Sequence, residues 1–216
     1  MSIPTKRIGM KLLVTFNLID LERSLLIAQV IEPHLDVLTI GSLLLYKYGT
    51  QAVERFRQQF PKKIIFAQAR LLDRPKEAVK LFTTAGANWI SVLAGAGPNA
   101  IHSASTSAAE FGSKIILDLA DSSSIGQDAL EAQRLGVEGI IFHKPSVDEE
   151  GLMFADQWQM VKGNTPLPIY LSAHTTRENI SQVLSFNPAG VIVGSAIIKA
   201  ADSEKEVRYF SDLVRK

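Results

Sequence analysis

Cysteine is absent from the 216 residues, which removes disulfides, a thiol nucleophile and any Cys-ligated metal from consideration. An excess of charge of one sign is absent too. The chain has 23 Lys and Arg against 22 Asp and Glu, a formal net charge of +1, and neither sign collects in a long block. Such a balance points to neither nucleic acid nor a membrane surface as a partner. No apolar stretch approaches the roughly 18 residues of a membrane span. The run Leu12, Leu13, Val14 behind a polar start is too short for the core of a signal peptide. The expectation is a soluble, cytoplasmic protein. Glycine is also missing after the first apolar run, where the chain continues "FNLIDLE". A dinucleotide-binding open sheet carries its phosphate fingerprint at that place.

What the sequence does have is alternation. Short aliphatic runs recur at Leu12–Phe16, Val37–Ile40, Ile64–Ala67, Trp89–Leu93, Ile115–Leu119, Gly139–Phe142, Pro168–Leu171 and Val191–Val193. Continuous rather than alternating apolar runs mark strands buried on both faces. Between them lie helical periods: Leu21, Leu25, Ala28 and Ile31; Val53, Phe56 and Phe60; Ala78, Leu81 and Phe82; Leu130 and Leu135; Val207, Phe210 and Leu213. "AGAN" at 85–88, "FGSK" at 111–114 and "LGVE" at 135–138 each place a glycine where a helix ends before a strand. Asp202 or Ser203 caps the last helix. Eight strands alternating with helices predict an α/β fold, a single-domain (β/α)8 TIM barrel over residues 10–216 behind a short N-terminal extension, residues 1–9.

In such a barrel the residues that close the strands point into the mouth, and the loops there carry function. Those positions hold Asn17; Thr39 and Ser42; Gln68, Arg70 and Asp73; Ser91 and Gly95; Asp118 and Asp121; His143, Lys144 and Asp148; Ser172, His174, Thr175 and Thr176; Gly194 and Ser195. In "GVIVGSAI" (190–197) a buried strand runs into Gly194-Ser195 and a short helix. Glycine lets a ligand approach the backbone, and amides at a helix start attract an anion. Phosphate binding is one reading of this turn, an ordinary N-cap the other.

Several segments match a known group in register. "LDVLTIGSLLL", "TTAGANWISVL", "IIFH" and "VIVGSAIIKAAD" resemble the second strand, fourth strand, sixth strand and phosphate loop of the orotidine 5′-phosphate decarboxylase suprafamily. The branch is that of 3-hexulose-6-phosphate synthase and 3-keto-L-gulonate-6-phosphate decarboxylase. The resemblance covers about residues 10–214. It implies a homodimer with phosphosugar sites at its interface, one magnesium ion, and enediolate chemistry by aldol cleavage or decarboxylation.

The sequence departs from that pattern where the chemistry sits. Asn17 stands for the first-strand aspartate, Thr39 for a metal-ligating glutamate, and the third-strand D-x-K-x-x-D reads Gln68-Ala69-Arg70-Leu71-Leu72-Asp73. Only Asp73 survives, the residue that in relatives reaches the partner's site, and Ser172-Ala173-His174 replaces a glycine pair. Asn, Thr and Gln are neutral ligands, whereas magnesium in such sites needs carboxylates. No metal site is therefore expected unless Asp118 or Asp121 substitutes. Arg70 keeps a positive charge but does not release its proton at working pH. It can stabilise an enediolate or clamp an anion bidentately.

Arg70, Asp73 and His143 are the catalytic candidates. Asn17, Thr39, Gln68, Asp118, Ser172, His174, Gly194 and Ser195 are the substrate-binding ones. Each has a structural alternative. His143 reads as a general acid or base or as a satisfied histidine. Asp73 serves catalysis across a dimer or merely starts the helix at Arg74-Pro75. Asp118 serves catalysis or loop bonding, and Lys144 phosphate contact or solvent. Trp89 and Trp158 read as core or interface, Tyr46 and Tyr48 as dimer contacts, His102 as surface or interface, and His34 as a helix-end cation near carbonyls. The function expected is a ketose-phosphate carbon–carbon lyase with its metal and lysine positions replaced. A non-catalytic phosphosugar-binding homologue is the alternative.

Overall fold

A computed structural model describes residues 9–143 and 152–216. Eight parallel strands close in sequence order into a barrel: β1 (Lys11–Phe16), β2 (Val37–Ile40), β3 (Ile64–Leu71), β4 (Trp89–Leu93), β5 (Lys114–Asp118), β6 (Gly139–His143), β7 (Ile169–Ser172) and β8 (Gly190–Val193). The predicted barrel is thus present, and each strand overlaps the run assigned to it. Helices α1 (Leu21–Ile31), α2 (Ser42–Tyr48), α3 (Thr50–Gln59), α4 (Pro75–Thr84), α5 (Pro98–Phe111), α6 (Ile125–Ala132), α7 (Leu152–Asn164), α8 (Ile180–Ser185), α9 (Ser195–Ile198) and α10 (Ser203–Val214) alternate with them. None of the described helices is long and apolar enough to cross a membrane. Lys144 and Asp148 lie outside the described residues.

Local rules explain the helix ends. The three glycines expected after helices, Gly86, Gly112 and Gly136, have φ of +104°, +84° and +82°, a conformation that other residues adopt only at a cost. Asp202, rather than Ser203, caps α10 by accepting from the Lys205 amide at 2.9 Å. Two expected core positions face water instead: Leu81 and Leu130 are 60% and 56% exposed. The inner faces of α4 and α6 are formed by Val79, Ala129 and Ala132. Small side chains let these helices sit close to the sheet, and leucine falls outside.

Strands alternate side chains between faces, and here that alternation sorts the core into two. Residues pointing outward pack under the helices. Those pointing inward form a separate apolar plug of Leu13, Val37, Phe66, Trp89, Ile116, Ile141, Tyr170 and Ile192. Its aromatic rings interlock: Trp89 lies 5.9 Å from Phe66 and 5.3 Å from Tyr170, centroid to centroid. Tyr170 fits because its neighbours are glycines. A Cβ at Gly139 would come within 2.9 Å of the Tyr170 ring, and one at Gly190 within 2.8 Å of the Lys11 carbonyl. Burial pushes the Tyr170 phenol up to about 12, so the ring is neutral at physiological pH.

Two residues further along each strand, the inward positions are Thr15, Thr39, Gln68, Ser91, Asp118, His143, Ser172 and Gly194. The interior passes from wholly apolar to wholly polar or glycine in one step. This step is what positions the site at the C-terminal mouth.

Strand β3 runs four residues past the expected end at Ala67. The register with β4 shifts between Ala67 and Leu71. Arg70 sits in this irregularity with φ +50°, its amide donating to Ser91 Oγ at 2.9 Å. Gln68 and Arg70 therefore belong to a bulged strand and not to a loop, in keeping with the tendency of bulges to re-aim side chains beside active sites.

Candidate active site

A pocket of about 420 Å³ opens at the mouth, lined by Thr15, Asn17, Gln68, Arg70, His143, Ser172, His174, Thr175, Ile192, Gly194, Ser195, Ile198 and Lys199. It gathers Asn17, Gln68, Arg70, His143, Ser172, His174, Gly194 and Ser195 of the sequence-derived candidates. Three others stand apart. Thr39 is fully buried beneath the mouth. Asp118 is equally buried behind Arg70 and His143. Asp73 is exposed outside the pocket of its own chain, where its carboxylate accepts from the Arg74 amide at 2.7 Å just before α4.

Asp118 organises one wall. Its Oδ2 accepts from Arg70 Nε at 3.0 Å, and its Oδ1 lies 2.7 Å from His143 Nε2 and 3.0 Å from the Ala120 amide. A carboxylate has only acceptors, so His143 Nε2 carries the proton of that bond and Nδ1 is the remaining ring nitrogen. Burial pushes the Asp118 carboxyl up. The hydrogen bond from His143, the charges of His143 and Arg70, and the Ala120 amide outweigh it and hold the group below its ordinary value. Arg70 and His143 are 33% and 23% exposed at their side chains, against 0% for Asp118. The Arg70 guanidinium and the His143 ring therefore reach the pocket, and the Asp118 carboxylate is hidden.

The opposite wall is backbone and hydroxyl. In α9 the first helix-type bonds run from the Ile197 and Ile198 amides to Gly194 O. The amides of Ser195 and Ala196, ahead of them, have no helical acceptor. A Cβ at Gly194 would meet nothing closer than Thr15 O at 3.7 Å. Packing does not demand glycine here, but the backbone does: φ −119° with ψ −103° lies outside the regions that other residues favour. Lys199 stands at the same end. Thr15 and Lys199 were missed as candidates. Period two from Leu13 points to Thr15. Lys199 lies within "VIVGSAIIKAAD" but well past Val193, the end of β8.

Thr15, Thr39 and Thr175 have buried hydroxyls without a hydrogen-bond partner among the described residues. Orphaned groups of this kind cost about 1–3 kcal/mol each and ask for an explanation. Thr15 and Thr175 line the pocket. Thr39 is sealed away, so Thr39→Val is expected to raise the unfolding free energy by about 1 kcal/mol, read by urea denaturation. A loss of stability would show that the hydroxyl is bonded after all.

The donor set does not fit the magnesium ion that the resemblance leads one to expect. Asn17 Oδ1 accepts from the Leu43 amide at 3.2 Å, doing for α2 what its capping residue Gly41 cannot. The amide group that remains is a donor. Thr39 and Gln68 offer only neutral oxygens. Both Asp118 oxygens are taken, and Asp121 Oδ1 lies 3.3 Å from the Gly95 amide. No cluster of three His, Asp or Glu suited to a metal occurs among the described residues.

The comparisons with known proteins agree with the barrel. A profile of the orotidine 5′-phosphate decarboxylase / HUMPS family matches residues 10–210. The chain belongs to that family. Among relatives in it, 3-hexulose-6-phosphate synthase of Bacillus subtilis (strain 168) is 24% identical over 207 residues, 95% of this chain and 99% of its own. A 3-keto-L-gulonate-6-phosphate decarboxylase of Escherichia coli (strain K12) is 27% identical over 114 residues, covering 53% of this chain and 51% of its own. Among solved structures, 3-hexulose-6-phosphate synthase from Salmonella typhimurium superposes with a TM-score of 0.86 at 22% identity, over 95% of this chain and 98% of its own. KGPDC from Streptococcus mutans superposes with a TM-score of 0.85 at 19% identity, over 95% of this chain and 97% of its own. These likenesses show that the chain shares its fold with those proteins.

Proposed function

We propose that the chain is a carbon–carbon lyase acting on a ketose phosphate through an enediolate, the chemistry of 3-hexulose-6-phosphate synthase, with the family's metal and lysine positions replaced. One observation carries the reading: the pocket has a backbone-and-lysine end at Gly194, Ser195 and Lys199, and a wall of the Arg70 guanidinium and the His143 ring across from it. The first end suits a phosphate, through free amides, a hydroxyl and a cation. The second suits charge that develops on a ketone oxygen. When the bond to the departing carbon breaks, its electron pair passes into the enediolate. Arg70 is placed to stabilise that anion, and His143 Nδ1 to hand over or receive a proton. Gln68, Ser172 and His174 meet the sugar hydroxyls.

The dimer that the family resemblance implies belongs to the same proposal. Leu43 and Tyr46 of α2, 42% and 75% exposed, and Leu72 beside Asp73, 54% exposed, are its candidate contacts. Light scattering reads it as twice the chain mass.

The decisive experiment follows purified protein with 3-hexulose 6-phosphate for release of formaldehyde, and with 3-keto-L-gulonate 6-phosphate for release of carbon dioxide. Turnover of either supports the lyase; none of either sinks it. The neutral residues at three formerly acidic positions favour a second reading, a phosphosugar-binding homologue without turnover. That reading expects ketose phosphates to raise the melting temperature, since a ligand present at 100 times its dissociation constant stabilises by about 2.7 kcal/mol. It fails if no phosphate ester does so.

A further inference from the structure

We propose that Arg70, locked onto Asp118, is a metal-free clamp for a planar two-oxygen anion, a carboxylate or an enediolate, across the pocket from the Gly194–Ser195 turn. The proposal rests on the reading of that turn as the phosphate end and goes beyond it, because it assigns a second anionic subsite and the group that fills it.

Arg70 is fixed at three points. Its backbone is in the left-handed region at φ +50°, a strained state for a side chain of this size that persists only where the surroundings enforce it. Its amide is held by Ser91 Oγ, and its Nε by the fully buried Asp118. With Nε spent inward, Nη1 and Nη2 have no partner among the described residues, and the residue lines the pocket. The end of a guanidinium presents two parallel N–H groups at the spacing of two oxygens on one planar anion. The same anchoring argues against a cation at this wall. Asp118 is already neutralised by Arg70 and bonded by His143, and Arg70 would repel a divalent ion placed beside it. A fixed guanidinium therefore supplies the positive charge for which the family resemblance leads one to expect magnesium.

Isothermal titration with three four-carbon ligands tests this: erythritol 4-phosphate, the same chain ending in a carboxylate, and the same chain ending in a hydroxamate, which mimics an enediolate. In EDTA, the carboxylate-ended ligand, the hydroxamate-ended ligand or both are expected to bind roughly tenfold to a hundredfold more tightly than the alcohol, the worth of a charge-assisted bidentate pair. The tighter of the two tells whether the clamp serves a substrate carboxylate or the reaction's own enediolate. Arg70→Gln should erase the gain while erythritol 4-phosphate still binds. Arg70→Lys, which keeps charge without the fork, should retain only part of it and covers the case of a misfolded Gln variant. Equal binding of all three ligands overturns the clamp and leaves the phosphate reading standing. A gain that appears only with added magnesium also overturns it. Failure of every phosphate ester to bind removes both.

Discussion

Replacing Asp118 by alanine is expected to lower the unfolding free energy by about 3 kcal/mol, because it strands the partners of a buried ion pair. For a chain of this length that is a fall of about 6–12 °C in melting temperature. The loss sits toward the lower end of what breaking a buried pair costs. Only Asp118 is fully buried, and Arg70 and His143 retain some water. Asp118→Asn keeps the volume and isolates the charge. It should cost less than alanine and still release Arg70 from its anchor, so the advantage of carboxylate-ended over alcohol-ended ligands should shrink in both variants.

The pH dependence separates this electrostatic role from mere packing. Asp118 titrates below its ordinary value of 3.8 in the native state, so as pH falls the unfolded chain takes up the proton first. The stabilisation is fully present well above that ordinary value and is lost as pH drops through the lower native value. The stability gap between wild type and Asp118→Asn should therefore begin to close as pH falls below about 4. Chemical denaturation at half-unit steps reads it. Curves that stay parallel down to pH 3 would show that the carboxylate contributes by shape alone.

The barrel was legible in the chain because each buried strand is a continuous apolar run and each helix end carries its own marker. Asp202 and the glycines at 86, 112 and 136 act locally, and tertiary context had nothing to override. The mouth was legible in outline for the same reason: counting strand ends reached Asn17, His143, Ser172 and Gly194. The miscounts share a cause. A strand end is a property of hydrogen bonding between neighbours, and the bulge that carries β3 on to Leu71 depends on Ser91, 21 residues away. Nothing in "AQARLLD" announces it. Nor could the chain alone say that Asp118 turns inward to Arg70 and His143, because that pairing joins β3, β5 and β6. Thr15 could have been found by stepping two residues from Leu13. What hid it was attention to the last residue of each strand and not to the inward face.

Trp89→Ala is expected to have the larger effect on stability, about 3–5 kcal/mol, and to carry into the site. Trp89 is 7% exposed and fills the middle of the inward plug, its ring against Phe66 and Tyr170. A closed ring of strands cannot collapse onto the cavity as a loose helix might, so relaxation recovers little of the lost contact. The neighbours most free to move are Phe66 and Tyr170. Phe66 lies two residues from Gln68 on β3, and Trp89 itself two residues from Ser91, whose hydroxyl holds the Arg70 amide. The substitution should thus weaken the anion clamp as well as the fold, whereas Trp89→Phe should restore most of both. Leu81→Ala, at a position 60% exposed, serves as the control and should change stability by no more than about 0.5 kcal/mol. If Trp89→Ala and Leu81→Ala unfold at similar denaturant concentrations, the aromatic plug is not what holds the staves together. The polar ring above it would then need another support.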